Sequence, residues 1–317
     1  MRSYLVTGGA GFIGSNLAQA LLREGSSVTV IDDFSTGLRE NLANLDIRVI
    51  SHDIGDELSS DLDLKKFDAI FHLAARGSVP RSIKEPLLTQ KVNFFGTLNL
   101  LEASRLSRTP VIFSSSSSVY GENASLPKDE FMWTSPYTPY GASKLGAESL
   151  VRAYGMTYEI NNKVFRLFNV FGPRQRPDHA YAAVIPIWIW KAMHSQPIVI
   201  NGDGSQTRDF TFVDDVVAIL IKSLSVSIDQ PRVNLAFGRP ISLNEIVEKL
   251  ATYFPDIQVK YENKRQGDIE KSENNPSLLK EYFGDFRVTG FDDALSSTIE
   301  WYRKNAHLIE QYPNITE

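Results

Sequence analysis

The sequence predicts an α/β fold: a doubly wound parallel sheet followed by a smaller, mixed α/β C-terminal lobe. Three observations carry this reading. Short, nearly continuous apolar runs alternate with helical stretches through the first half of the chain, as expected of strands buried on both faces. A glycine cluster joins the first of these runs to the first helix. After Asn169 the rhythm changes, with Pro173, Pro177, Pro186 and Pro197 and the turn-forming stretch NGDGSQ.

Residues 4–7 (YLVT) form the first strand, and FIGSNLAQALLREG carries apolar residues at helical spacing until Gly25 stops it. Residues 27–31 (SVTVI), ending at Asp32 and Asp33, residues 47–51 (IRVIS), leading to Asp53, residues 69–73 (AIFHL) and residues 110–114 (PVIFS) read as the next strands. The best-defined covering helices are about 86–104 and 141–154. The serine run 114–118 would read as a linker in isolation, but it follows a buried strand directly. A weak strand signal at 233–236 (VNLA) and a helix at 242–253 suggest that the chain alternates between lobes. We therefore expect a first domain over 1–169, with a segment at about 205–238 returning to it, and an interleaved second lobe over 170–317.

A length of 317 residues suits two units of ordinary domain size, and 42% apolar with 22% charged residues is the composition of a packed globular protein. Thirty-three basic against thirty-eight acidic residues give a net charge of −5, so no basic field exists to attract nucleic acid or an anionic membrane. Any anionic ligand must be held by local groups. The chain has no cysteine, which excludes disulfides, thiolate metal ligands and a thiol nucleophile. His52, His72, His179, His194 and His307 show no metal-ligand spacing, and His72, inside an apolar run, reads as a satisfied core residue. The N-terminus lacks the pattern of a signal peptide, and the apolar run 181–190 is about half the length needed to cross a bilayer. A cytoplasmic protein is expected, with that run buried or at an interface.

Gly9, Gly11 and Gly14 match G-x-G-x-x-G, with Gly8 starting an overlapping triplet at Gly8, Gly11 and Gly14. The match follows a strand, opens a helix through Phe12 and Ile13, and is followed by Asp32 at the end of the next strand, eighteen positions after Gly14. That is the context of a dinucleotide site and marks the domain as Rossmann-like. Glycines let the backbone approach a pyrophosphate, and the helix N-terminus offers it unpaired N–H groups. A carboxylate at Asp32 accepts ribose hydroxyls and repels a 2′-phosphate, which favours NAD over NADP.

Tyr140 and Lys144 lie four residues apart, on one face of a helix. A tyrosine alone is a poor base near neutrality, whereas an adjacent cation favours its phenolate. Such a pair is often a solvated helix face, but beside a dinucleotide fingerprint it reads as an acid/base couple.

Taken with TGGAGFIGSN, HLAA at 72–75, SSSSVYG, YGASK, RLFNVFGPRQRP, NGDGSQTRDFTFVDD and RQGDI, the chain resembles the extended short-chain dehydrogenase/reductases. Within them it is similar to the nucleotide-sugar 4-epimerases acting on UDP-glucose or UDP-N-acetylglucosamine. The resemblance spans nearly the whole chain. It implies that Tyr140 is the general base, that Lys144 lowers its pKa and binds the nicotinamide ribose, and that Ser116 completes the active site, with Ser117 one residue away as the competing alignment. It further implies NAD contacts at Gly8, Gly11, Phe12, Ile13, Gly14, Asp32, Asp53, Ile54, Leu73, Ala74, Ala75 and Asn93. In the resembling 4,6-dehydratases an Asp-Glu pair follows the hydroxyl residue, and the decarboxylases keep the Glu. Here Ser117 and Ser118 occupy those positions, so elimination lacks proton carriers. The implied reaction takes a proton and a hydride from sugar C4 and returns the hydride to the opposite face of a 4-keto sugar.

For the substrate, the resemblance implies UDP contacts from Asn169, Arg208 and Arg265, with Asp268 at the uridine ribose. A surface ion pair is the alternative for the two arginines. Arg174 and Arg176 read equally well as a solvated cluster. Ser272 occupies the position where a small residue admits a 2-acetamido group, which implies UDP-GlcNAc/UDP-GalNAc, alongside UDP-Glc/UDP-Gal. Ser78 and Ser82 are implied sugar contacts, and Arg81 could meet a uronate carboxylate, which keeps a UDP-glucuronate 4-epimerase open. A net oxidoreductase or dehydratase on the same fold, and a silent NAD-binding regulator, are the other readings. The family pairs two helices per subunit into a four-helix bundle, so a homodimer through the helices at 86–104 and 141–154 is implied.

Overall fold

A computed structural model describes residues 1–58, 62–177, 183–230, 232–264 and 270–310. Seven parallel strands form the central sheet, in the spatial order Val233–Leu235, Lys163–Leu167, Val111–Ser116, Ala69–His72, Ser3–Thr7, Ser27–Asp32, Arg48–Ser51. Every neighbouring pair is parallel, with registers such as Val6 opposite Val30 and Phe71. The direction in which strands are added reverses between Ser3–Thr7 and Ala69–His72. In an open parallel sheet, such a reversal leaves a crevice beyond the carboxyl ends of the strands.

Alternation along each strand sends residues to two separate cores. Tyr4, Val6, Val28, Val30, Phe71, Ile112 and Phe165 face one of them, packed with Leu17 and Leu21 of the helix Phe12–Arg23 and with Val216, Val217 and Leu220 of the helix Val213–Lys222. Leu5, Ile31, Ile70, Val111, Phe113 and Val164 face the other, against Leu100 and Leu101 of the helix Gly96–Ser107 and Ala147 and Val151 of the helix Pro139–Tyr158. Both faces are thus covered, which is why the strands are apolar throughout.

The helix expected at 141–154 is longer at both ends, because Thr138 caps it through the Gly141 N–H and Pro139 starts it. The helix expected at 86–104 runs on to Ser107, through a π-helical segment at Lys91–Phe95. The serine run is shared between the end of the strand Val111–Ser116 and a turn at Ser117–Val119.

Beyond residue 170 the chain crosses back: the helix Val213–Lys222 covers the sheet and Val233–Leu235 forms its edge. The remaining segments build a smaller layer with three two-stranded pairs, Val170–Phe171 with Thr211–Phe212, Thr207–Asp209 with Pro240–Ser242, and Ile198–Asn201 with Val259–Glu262. Its helices include Val184–Met193, which buries Ile185, Trp188, Ile189 and Trp190 of the long apolar run. The helix expected at 242–253 is Leu243–Ala251, with Ser242 and Glu245 forming a capping box. Among the described residues, no helix is long and apolar enough to cross a membrane.

Candidate functional site

The crevice at the strand-order reversal is a cavity of about 570 Å³. Its floor begins where Thr7 ends the first strand. Gly8 turns there with φ +71°, and a Cβ on it would come within 2.7 Å of the Ala74 backbone. Gly14 in the first helical turn has no room either, since a Cβ would lie 2.1 Å from the Gly8 carbonyl oxygen. No side chain caps this helix at Gly11, so the first-turn N–H groups of Phe12, Ile13 and Gly14 border the cavity without a built-in acceptor.

At one end of the cavity, Asp32 is buried and each carboxylate oxygen accepts one backbone N–H, Oδ2 from Ala10 at 2.9 Å and Oδ1 from Phe34 at 2.8 Å. Burial pushes its carboxyl above the usual range, against the pull of these two donors. The lone pair left on each oxygen can accept a ribose hydroxyl. Asp53 is held by the Gly55 N–H and by Lys91, 3.2 Å away. Ile54, Leu73, Ala74 and Ala75 complete this wall. A helix N-terminus for a pyrophosphate, a carboxylate for a ribose diol and an apolar slot for a base fit an NAD dinucleotide.

Tyr140, Lys144 and Ser116 line the cavity at its other end, three strands across the sheet from Asp32, and Ser78 and Asn169 also line it. Lys144 is 3% exposed and donates to the Ser114 carbonyl oxygen at 2.8 Å. Burial brings its ammonium down to about 7. Burial likewise pushes the Tyr140 phenol up, while a hydrogen bond from Ser116 favours the phenolate. Ser116 therefore stands beside the phenol, and its Oγ also meets the Ser118 N–H at 3.2 Å and the Ser118 hydroxyl at 2.9 Å. Ser117 and Ser118 line the cavity next to it. Behind this cluster, Glu148 receives Arg166 Nε at 3.0 Å, Arg166 Nη2 at 2.7 Å and the Ser115 hydroxyl at 2.9 Å. This buried pair ties the helix of Tyr140 to two strands. Replacing one partner alone would strand the other charge.

Several expected residues take other places. Asn93, expected at the cofactor, is absent from the cavity wall. It is buried, its Oδ1 accepting the Arg76 N–H and its Nδ2 donating to Ser143 Oγ, so it supports the wall from behind. Ser82, expected at the sugar, is fully buried and bonded within the fold. Arg208, in the strand Thr207–Asp209, and Ser272, whose N–H donates to Thr207 O, lie next to each other and are not among the residues lining this cavity. Arg265 and Asp268 fall outside the described residues. Arg174 and Arg176, open between a ligand role and a solvated cluster, line the cavity and cross to the other lobe, donating to Ser15 O at 2.9 Å and Thr36 O at 3.1 Å. Arg76, Thr36, Asn41 and Gln175 also line it. No local sequence pattern marks these four, because only the return of distant segments brings them there.

His72 is buried between Thr7 Oγ1 at 2.7 Å and Thr97 Oγ1 at 2.9 Å. The Thr97 hydroxyl donates to Asn93 O, so His72 Nε2 must carry the proton and Nδ1 must accept from Thr7. Burial, with the nearby Lys144 charge, brings its pKa down to about 3, so it stays neutral. Among the described residues there is no group of three or more His, Asp or Glu side chains that could hold a metal ion.

With the geometry in view, comparison with known proteins is specific. Residues 4–236 match the NAD dependent epimerase/dehydratase family. A UDP-glucose 4-epimerase of Mycolicibacterium smegmatis is 35% identical over 95% of this chain and 99% of its own. A UDP-glucuronate 4-epimerase of Thermodesulfobacterium geofontis is 32% identical over 98% of this chain and 99% of its own. The solved structure of a UDP-N-acetylglucosamine 4-epimerase from Methanobrevibacter ruminantium M1, in complex with UDP-N-acetylmuramic acid, superposes with a TM-score of 0.90 at 37% identity, covering 96% of this chain and 99% of that one.

Proposed function

The chain belongs to the NAD dependent epimerase/dehydratase family, and from that premise we propose that it is a UDP-sugar 4-epimerase acting on UDP-GlcNAc/UDP-GalNAc, and on UDP-Glc/UDP-Gal as well. One observation carries the reaction type. At the end of the cavity holding Tyr140, Lys144 and Ser116, the two following side chains are the hydroxyls of Ser117 and Ser118. The carboxylates among the described lining residues are Asp32, Asp33 and Asp53, on the strand ends that would hold the adenosine. Elimination needs a second acid/base pair at the sugar, whereas inversion at one carbon needs a single reversible proton acceptor.

Tyr140 takes the proton of the sugar 4-hydroxyl and later returns it. Ser116 donates to the phenolate, and Lys144, one helical turn along, is the proposed cation that favours it. NAD, when bound, supplies the hydride acceptor and donor at C4. The first-turn N–H groups of Phe12, Ile13 and Gly14 would hold its pyrophosphate, and Asp32 its adenosine ribose. Asn169, Arg208, Arg265, Asp268 and Ser78 are the proposed UDP-sugar contacts. The shortness of Ser272 is the basis for admitting the acetamido group. The NAD-binding domain is assigned to 1–169 with the segment at about 205–238, and the sugar-nucleotide lobe to the rest.

A second reading, a UDP-glucuronate 4-epimerase, is favoured by Arg81 on the cavity wall, where a guanidinium could meet a carboxylate. NMR of reactions with UDP-GlcNAc, UDP-Glc and UDP-GlcA decides between the two by the 4-epimer formed. A steady accumulation of NADH with excess NAD⁺ and UDP-sugar would reject epimerisation altogether. We further propose a homodimer through the long helices, on which Leu87, Phe95 and Met156 are 85%, 53% and 79% exposed.

A further inference from the structure

The helix that carries Tyr140 begins with an arithmetic problem in hydrogen bonds. The first N–H groups of any α-helix have no partner within the helix. Here the cap is Thr138, Pro139 has no N–H, and the Thr138 hydroxyl is taken by the Gly141 N–H at 3.1 Å. The Tyr140 N–H is therefore left over. It donates to Ser82 Oγ at 3.0 Å, a side chain 58 residues away in sequence. Ser82 is fully buried, and its own proton goes to Val79 O at 2.6 Å. Its hydroxyl is thus oriented with a lone pair toward Tyr140.

Ser82 belongs to the short helix Val79–Lys84, and Ser78, Val79 and Arg81 at its start line the cavity. The following segment repeats the connection, since Gln90 Nε2 donates to Pro139 O at 3.1 Å. The cavity-lining segment and the first turn of the Tyr140 helix are therefore joined on both sides of the Pro139–Tyr140 peptide, at its N–H by Ser82 and at its carbonyl oxygen by Gln90.

We propose that Ser82 is a positioning residue for the reaction: by capping the Tyr140 N–H from the sugar-facing segment, it holds the phenol in register with Ser116 and with the sugar. The inference rests on the reading of Tyr140 as the proton acceptor. Without the Ser82 hydroxyl, a partly buried N–H on the reacting residue loses its acceptor, and the first turn relaxes toward another. Small displacements of a reacting group are costly in rate, up to about a hundredfold for about 1 Å.

The test compares Ser82→Ala, Ser82→Thr and Tyr140→Phe in the full-length, NAD-loaded protein. Ser82→Ala is expected to keep the wild-type circular dichroism and NAD content while kcat falls at least about tenfold and KM changes less than about threefold. The rising limb of kcat against pH moves to higher pH, because a phenolate less well supported has a higher pKa and needs a higher pH to form. Ser82→Thr keeps the hydroxyl and is expected to recover most of the rate. If alanine unfolds the chain, the nearly isosteric Ser82→Cys, whose sulfur is a weak acceptor, shows the same loss. Wild-type kcat and pH profile in Ser82→Ala, or in Ser82→Cys where alanine unfolds, overturns the inference. So does a loss matched by the loss of folded, NAD-loaded protein with the pH profile unmoved. Full activity of Tyr140→Phe would instead remove the proton acceptor itself. An inactive Tyr140→Phe beside a wild-type Ser82→Ala removes only the role of Ser82.

Discussion

Lys144→Met is expected to stabilise the nucleotide-free protein while stopping turnover. Burial lowers the Lys144 pKa from 10.5 to about 7. Between those two values the unfolded chain binds more protons than the folded one, so this residue makes stability rise with pH across the window. Its penalty is complete below about pH 6, slightly smaller at pH 7, and vanishes near pH 10.5. At about 1.4 kcal/mol per pH unit, the penalty near neutrality is about 4 kcal/mol. Methionine removes the charge and keeps much of the volume, but it leaves the Ser114 carbonyl without the donor now 2.8 Å away. An unpaired buried acceptor costs about 1–3 kcal/mol, which leaves a net gain of about 2 kcal/mol. For a chain of this size that raises Tm by roughly 3 °C. Thermal melts of the stripped wild-type and variant proteins at pH 6, 7.5 and 9 measure it, and the gain should shrink toward pH 10. A variant less stable at pH 6, or a difference independent of pH, would refute the argument that a buried ammonium is held here at the expense of stability.

Tyr140→Phe should fold normally and lose about 10²- to 10⁴-fold in kcat, measured by epimer formation, because the phenol is the proposed proton acceptor for the sugar hydroxyl. Asp32→Ala removes the acceptor at the ribose end and should weaken NAD binding at least about tenfold, read by calorimetry and by NAD content after gel filtration. Ser272→Tyr should lower kcat/KM for UDP-GlcNAc about tenfold or more while sparing UDP-Glc, as competition kinetics would report. Phe95→Asp places a charge on the exposed apolar helix face and should convert a dimer to a monomer in light scattering, with the monomer still binding NAD.

Much of this protein is local and therefore visible in one sequence. Strand periodicity, the glycines at the first turn, Asp32 at the next strand end and the four-residue spacing of Tyr140 and Lys144 each follow from short-range geometry. A strand alternates faces and a helix repeats in about 3.6 residues, so residues a few positions apart have calculable relations. The steric need for Gly14, beside the Gly8 carbonyl, is of the same kind, whereas the Ala74 backbone that Gly8 avoids comes near only once the sheet is assembled.

Tertiary structure decided which polar side chains had anything left to offer a ligand. Ser82 and Asn93 carry suitable groups and lie in suitable segments, but their hydrogen bonds are taken within the fold, by Tyr140 and Val79 and by Arg76 and Ser143. Arg174 and Arg176 read from the sequence equally well as ligand contacts or as a solvated cluster, and each reaches a carbonyl about 140 to 160 residues away and borders the cavity. Residue type and spacing state what a side chain can do. What it does depends on which partners the folded backbone brings within about 3 Å, and for sequence-distant partners that distance is set by the packing of the whole sheet.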